Sequence, residues 1–197
     1  MNRMSYVMLA LLAIAVVVPF PLSVKASTPV WASVVVDWNQ APMKNGDPVS
    51  ARGFDNIYPI NALGPADSTR GHFETIFSLG YGGYIVLAFS SRVCGSITVY
   101  ETTWGQYPTE AAMVYVSQDG TTWTYLGTAD NSVNPGDSVH PTTWTLSTWI
   151  KYVKIIDTTN RQDFDPALHP EVSNGDLSDG FDVDAVSAEF RRARIDI

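Results

Sequence analysis

The sequence is poor in most of what the common enzyme chemistries require. It has a single cysteine, Cys94, and three histidines, His72, His140 and His169. A lone cysteine excludes a disulfide within the chain, so stability must come from an apolar core or from bound metal. The histidines are scattered without ligand spacing, which argues against zinc. No Gly-x-Ser-x-Gly elbow, phosphate-cradling glycine loop or metal-hydrolase histidine motif is present. Glu101 and Glu110 could be imagined as a glycosidase pair, but they read more simply as two acids at strand ends. Cys94 lies in the apolar-to-small run Arg92-Val93-Cys94-Gly95 and reads as a small buried residue, with no neighbouring base to make it a nucleophile. Positive charge is also scarce: 12 Lys and Arg stand against 20 Asp and Glu, a net charge of −8. Such a surface disfavours nucleic acid, whose binding rests on phosphate neutralisation, and anionic lipid. It suits solubility and divalent cations.

Long apolar runs are missing beyond the N-terminus. Met1–Ala26 carries Arg3, an apolar stretch from Val7 to Val18, then Pro19 and Pro21, and ends in Val24-Lys25-Ala26 with small residues where a signal peptidase reads. This is the anatomy of a secretory signal peptide, and its apolar run is shorter than the roughly 20 residues that span a bilayer. Cleavage after Ala26 removes Arg3 and Lys25 and no acid, so the mature chain is more acidic still. No cysteine near the cleavage site offers a lipid anchor. The expected organisation is a leader over 1–26, one sandwich domain over 27–190 and a tail over 191–197, in a secreted protein that stays off the membrane once the leader is gone.

Amphipathic helices are absent too. What remains is a succession of short β-branched and aromatic runs separated by Gly and Pro. Val30–Trp38 reads as a strand, and 39–74 as a long connection whose apolar part, Phe54–Asp67, should pack down on the domain. Strands follow at Tyr84–Phe89, Ile97–Glu101, Ala111–Ser117 and Thr122–Leu126, the last two joined by an Asp119-Gly120 hairpin turn. Trp123, alternating with Tyr125, reads as core. Asp130–Thr143 reads as a polar loop, and strands return at Tyr152–Ile156 and Asp182–Val186. About eight antiparallel strands with this spacing predict an all-β jelly-roll sandwich.

Several strings together resemble a known module. Ala62-Leu63-Gly64-Pro65-Ala66-Asp67 is followed by Leu79-Gly80-Tyr81-Gly82-Gly83-Tyr84-Ile85-Val86-Leu87-Ala88-Phe89, then by Val114-Tyr115-Val116-Ser117-Gln118-Asp119-Gly120-Thr121-Thr122-Trp123. The series closes with Val153-Lys154-Ile155-Ile156-Asp157 and Gly180-Phe181-Asp182-Val183-Asp184-Ala185-Val186. In this order they resemble exported prokaryotic cell-surface modules, which are similar to the galactose-binding-like (discoidin-like) jelly rolls. The resemblance implies a calcium-stabilised sandwich that is not an enzyme. One departure is visible: where relatives carry acid before the middle strand, residues 94–101 keep Glu101 but have Ser96 and Thr98.

The acids concentrate between Tyr152 and Val186. Asp157 ends one strand, while Asp182 and Asp184 open another and, by alternation, should point the same way. Stacked carboxylates are costly without a cation between them, and Ca²⁺ takes six to eight oxygens. The expected calcium ligands are Asp157, Asp182 and Asp184, with Asp67, Asn56 and Glu101 closing the site. Asp163, Asp165, Glu171 and Asp176 read as solvent-facing. For a sugar, the expected contacts are aromatic rings in loops beside polar groups: Trp104 and Tyr107 in one loop, Trp144 and Trp149 flanking another. The function read from the sequence is a secreted, non-catalytic module for carbohydrate binding or cell-surface adhesion, with a glycan or extracellular protein as partner. The alternative is a self-assembling subunit of an extracellular matrix, surface layer or filament, built by strand addition at the Val30–Trp38 edge.

Overall fold

The structure is a computed structural model of the 197-residue chain, and it describes residues 28–68, 75–103, 108–132, 139–165, 167 and 177–190. The proposed leader and tail lie outside these residues. Among them the chain forms ten strands: β1 (Val30–Trp31), β2 (Val34–Asn39), β3 (Phe77–Ser78), β4 (Tyr84–Val93), β5 (Ser96–Thr102), β6 (Ala111–Ser117), β7 (Thr124–Asp130), β8 (Val139–Thr145), β9 (Ile150–Asp157) and β10 (Asp182–Glu189). They build two five-stranded sheets, one in the order β1-β10-β5-β8 with β3 also on β10, the other β2-β4-β9-β6-β7. Every pairing is antiparallel. The expected all-β two-sheet sandwich is what the chain adopts.

The core is the set of inward residues of both sheets. Ile85, Leu87 and Phe89 of β4, Ile97 and Val99 of β5, Val114 and Val116 of β6, and Val153 and Ile155 of β9 each recur at every second position and form one buried cluster. That period is the alternation of a strand with one face inward. The loop over Phe54–Asp67 packs down as expected: Asn56 and Ala62 are fully buried, and Gly64 N–H donates to Ala32 O at 3.1 Å.

Four expectations are corrected. The run Val30–Trp38 is not one strand. At Ala32–Ser33 the chain crosses between sheets, Ala32 N–H bonding Val186 O at 2.8 Å and Ser33 N–H bonding Ala88 O at 2.9 Å. The stretch read as a polar loop over Asp130–Thr143 contains β8, whose Pro141 sits opposite Tyr100. Because β8 ends its sheet, the missing proline N–H is harmless there. Trp123 precedes β7 and is only half-buried, while Tyr125 is exposed and leans on Tyr115 at 5.2 Å. Cys94 is partly exposed between β4 and β5, not a core residue.

The turn Gly80-Tyr81-Gly82-Gly83 requires its glycines. Gly80 has φ +70°, and a Cβ there would meet Ala41 O at 1.8 Å. Gly80→Ala is therefore expected to destabilise the domain by about 3 kcal/mol or more, from strain and backbone displacement together. Urea unfolding of the variant against wild type measures it.

Candidate functional site

One end of the sandwich is closed by carboxylates. Glu101 arrives there because β5 alternates: Ile97 and Val99 point into the core, and Glu101 continues the same inward row. Glu110 comes from the other sheet, just before β6. Asp182 opens β10, and Asp179 lies in the turn that precedes it. Glu101, Glu110, Asp179 and Asp182 are all at most 5% exposed. His140, also buried, stands opposite Glu101 in register. Arg52 and Asn56 come in from the long loop: Arg52 Nη1 donates to Asp179 Oδ1 at 2.7 Å, and Asn56 Nδ2 donates to Asp179 Oδ2 at 2.8 Å and to Ser78 Oγ at 2.7 Å.

Burial dominates the electrostatics of this basin. Lost hydration pushes the Glu101 carboxyl well above its ordinary range, and the neighbouring charge of Asp182 pushes it further. Glu110 is raised by burial and then by Asp182 and Glu101. Asp182 is raised by burial and by Asp179, with Ser78 and Arg52 pulling the other way. Asp179 is raised less, because Arg52 opposes its burial. The Glu101 carboxyl is drawn back down by its neighbour Glu110, while Oδ1 of Asp182 and Oδ1 of Asn56 have no hydrogen-bond partner. Buried polar atoms are nearly always satisfied, so two open oxygens beside a buried carboxyl pair are unusual.

The six residues expected to share one calcium site separate into three roles. Glu101, Asp182 and Asn56 belong to the basin. Asp157 is a clamp whose oxygens are used up: Oδ2 accepts from Gly82 N–H at 2.8 Å, and Oδ1 from Phe181 N–H at 2.9 Å and Thr159 Oγ1 at 2.6 Å. Asp184 lies in a different pocket, accepting from Asp67 N–H at 3.3 Å, Ser68 N–H at 3.4 Å and Ser68 Oγ at 3.1 Å, while Ser68 also bonds Thr102. Asp182 and Asp184, expected to point the same way, meet different partners, Ser78 for the first and Asp67 and Ser68 for the second, and a bulge interrupts the β10–β5 register between Val183 and Ala185. A bulge adds one residue to a strand and re-aims the side chains beside it. Asp67 meets Asp184 through its backbone N–H.

Glu110 and Asp179 are the basin members that sequence reasoning missed. Glu110 read as a strand-end acid, and Asp179 was one acid among many in a crowded loop. The signal for Asp179 was its place directly before the Gly180-Phe181-Asp182 string. Neither Glu101 nor Glu110 faces solvent, so this pair is closed to a glycosidic substrate. Among the described residues, no three acidic, histidine or cysteine side chains already converge as a ready-made metal cage. Asp163 and Asp165 are half-exposed in local turns, while Glu171 and Asp176 lie outside the described residues.

The expected sugar contacts divide as well. Trp104 and Tyr107 lie outside the described residues. Trp144 is in β8, half-buried against the core, where its indole faces Gly127 of β7 so closely that a Cβ there would come within 2.6 Å of Nε1. Trp149 is 50% exposed and edges a groove of about 410 Å³ lined by Cys94, Gly95, Thr145, Leu146, Ser147 and Thr148. Gly95 precedes β5, so this groove lies roughly 20 Å along the strand from Glu101.

No family model matches this sequence, and no curated protein does. Among solved structures, the fold is similar to a truncated AlyQ with CBM32 and alginate lyase domains (TM-score 0.48, 13% identity, 85% of this chain and 35% of that one). It is also similar to a pectin-binding carbohydrate-binding module (TM-score 0.47, 14% identity, 82% and 94%). A third is the C-terminal domain of a chitobiase from Bacteroides fragilis (TM-score 0.42, 15% identity, 81% and 92%). This chain spans about a third of the length of that truncated AlyQ chain. The sandwich class rests on the strand order itself.

The raised carboxyls set a pH dependence. Glu101, Glu110 and Asp182 hold protons more tightly folded than unfolded, so their contribution is whole below the unfolded values near about 4. It is lost as pH rises through the raised folded values. With divalent ions chelated, the melting temperature is expected to fall between about pH 4 and neutrality by at least 2–4 °C, the change that ~1 kcal/mol makes in a domain of this size. Scanning calorimetry across that range checks the sign.

Proposed function

We propose that this chain is an exported, non-catalytic, calcium-stabilised sandwich module that binds neutral carbohydrate at or beyond the cell surface. The observation that carries the sugar reading is the groove beside Trp149. A half-exposed indole gives a pyranose ring an apolar face to stack on, and Thr145, Ser147 and Thr148 put hydroxyls on the same rim. Apolar surface with a few placed polar groups is the ordinary make-up of a small-ligand site. No Lys or Arg lines the groove, and the chain carries −8 overall, so uncharged sugars are favoured over uronates. Non-catalytic status is supported by the burial of Glu101 and Glu110. The leader-like N-terminus supports export, and among the described residues no helix is long and apolar enough to cross a membrane.

A second reading has its own observation. β2 is an edge strand with Val34, Val36 and Trp38 each 46–50% exposed, and an open edge carrying apolar side chains is a template for strand addition. On this reading the chain is a subunit of an extracellular assembly. Sedimentation of the mature protein at high concentration separates the two, since a strict monomer removes the assembly reading.

A neutral-glycan array with uronate polymers alongside tests the sugar site. Trp149→Ala is expected to weaken the retained glycan by about tenfold, or ~1.4 kcal/mol, with an unchanged melt. Equal retention by the variant would place the ligand elsewhere. Calcium is tested separately: chelation at neutral pH is expected to lower the melting temperature by several degrees, roughly what a ligand at 100 times its Kd contributes in a domain of this size. An identical melt would leave the acids as proton carriers only.

A further inference from the structure

The outer face of the β2-β4-β9-β6-β7 sheet belongs neither to the acid basin nor to the groove beside Trp149. Its side chains are those that alternate with the core rows: Tyr84 of β4, Tyr152, Lys154 and Ile156 of β9, and Met113 and Tyr115 of β6. Tyr125 of β7, 51% exposed, extends it at 5.2 Å from Tyr115. Among the described residues no further element packs over these rings. Lys154 stands at the centre, opposite Val86 on one side and Tyr115 on the other, and its Nζ lies 4.8 Å from the centroid of the Tyr84 ring. Lys151 Nζ lies 5.7 Å from the centroid of the Tyr152 ring. The chain has 20 acids to 12 bases, yet among the described residues neither lysine has an acid partner. The acids that border the face are held by other donors. Asp37 accepts from Tyr84 Oη–H and Trp38 N–H, both at 2.9 Å, and Asp119 from Thr121 and Thr122 N–H. A ring attracts an ammonium without satisfying its N–H donors, so both lysines remain able to take an anion.

We propose that this face is a second carbohydrate site, separate from the Trp149 groove, and that it takes acidic oligosaccharides built of uronate sugars. A tyrosine ring offers a pyranose an apolar plane to stack on, and a carboxylate on the same sugar supplies the anion that Lys154 lacks. Hydrogen bonds between an ammonium and a carboxylate are among the strong ones. Lys151 and Lys154 are three residues apart, about 10 Å along β9, so a chain of several sugars reaches both where a single sugar cannot. Lys154 is five residues from Trp149, roughly 17 Å along the strand, which keeps the two sites apart. The overall charge of −8 does not forbid the contact, because exposed charges are largely screened beyond about 8–10 Å at ordinary salt. Phosphate polymers are a poorer fit, since their binding rests on neutralising many phosphates and this face offers two lysines.

The experiment titrates the protein with oligogalacturonate, oligomannuronate and oligoglucuronate, each beside the same oligosaccharide with its carboxyls reduced to alcohols, at low and high salt. Wild type is expected to bind at least one uronate, more weakly at high salt. Its reduced form should bind at least about tenfold more weakly, the change expected for one lost hydrogen bond to a charged group. Lys154→Gln is expected to weaken the uronate by a similar factor with an unchanged melt, Lys154→Arg to keep most of the binding, and Trp149→Ala to leave it as it was. No binding by any uronate would overturn the site, as would equal binding of a reduced form or of Lys154→Gln. Loss in Trp149→Ala alone would move the acidic sugar to the groove. A dimer in sedimentation that Lys154→Gln dissociates would give the face to a second copy of the chain. Neutral glycan retention through Trp149 is read by its own variant and stands whichever of these results appears.

Discussion

A two-sheet sandwich must close its ends, and here that closure depends on how buried negative charge is compensated. Apolar side chains fill the space between the sheets from Phe89 and Ile97 to Val183, and beyond them the inward positions turn acidic. Removing a carboxylate from water is costly unless a proton, a cation or a set of donors replaces the lost hydration. Each buried acid takes one of these routes. Asp157 takes backbone and hydroxyl donors, Asp179 takes Arg52 and Asn56, and Asp184 takes Asp67 and Ser68. Glu101, Glu110 and Asp182 have the least compensation, and burial raises their carboxyls furthest.

That constraint orders the loops. Asp157, at the end of β9, reaches the glycine turn through Gly82 and the start of β10 through Phe181, so one carboxylate gathers three segments distant in sequence. Gly180 is needed beside it, since a Cβ there would meet Asp157 Oδ1 at 2.7 Å. Arg52 and Asn56 pull the long early loop onto the same end. The groove beside Trp149, at the far end of β5, is free of this demand, and its rim of small hydroxyl residues leaves it open to a ligand.

The period-two runs of β4, β5, β6 and β9 were legible because alternation of apolar and polar residues is a local signal that needs no partner. So was the Asp119-Gly120 turn, where Asp119 accepts from Thr121 N–H and Thr122 N–H at 2.8 Å. β8 was hidden because its Pro141 and threonines look like loop until β5 lies beside them. The break at Ala32–Ser33 was hidden because it is made by hydrogen bonds to Val186 and Ala88, far along the chain. Of the candidate site, the acid-rich hinges at Asp157 and Asp182 could be found, but their division of labour could not: it depends on which distant donors reach each carboxylate, Gly82 and Phe181 for Asp157 and Asp67 and Ser68 for Asp184.

The sequence by itself determined the all-β class, the absence of a disulfide within the chain, and the acidic balance that draws attention to cations. Those follow from composition and from alternation, which each residue carries whatever its neighbours. The tertiary structure alone decided which acids are buried together and which are already satisfied. Pairing register and loop packing bring Glu101 and Glu110 from different sheets to one end of the core, and no local pattern contains that distance.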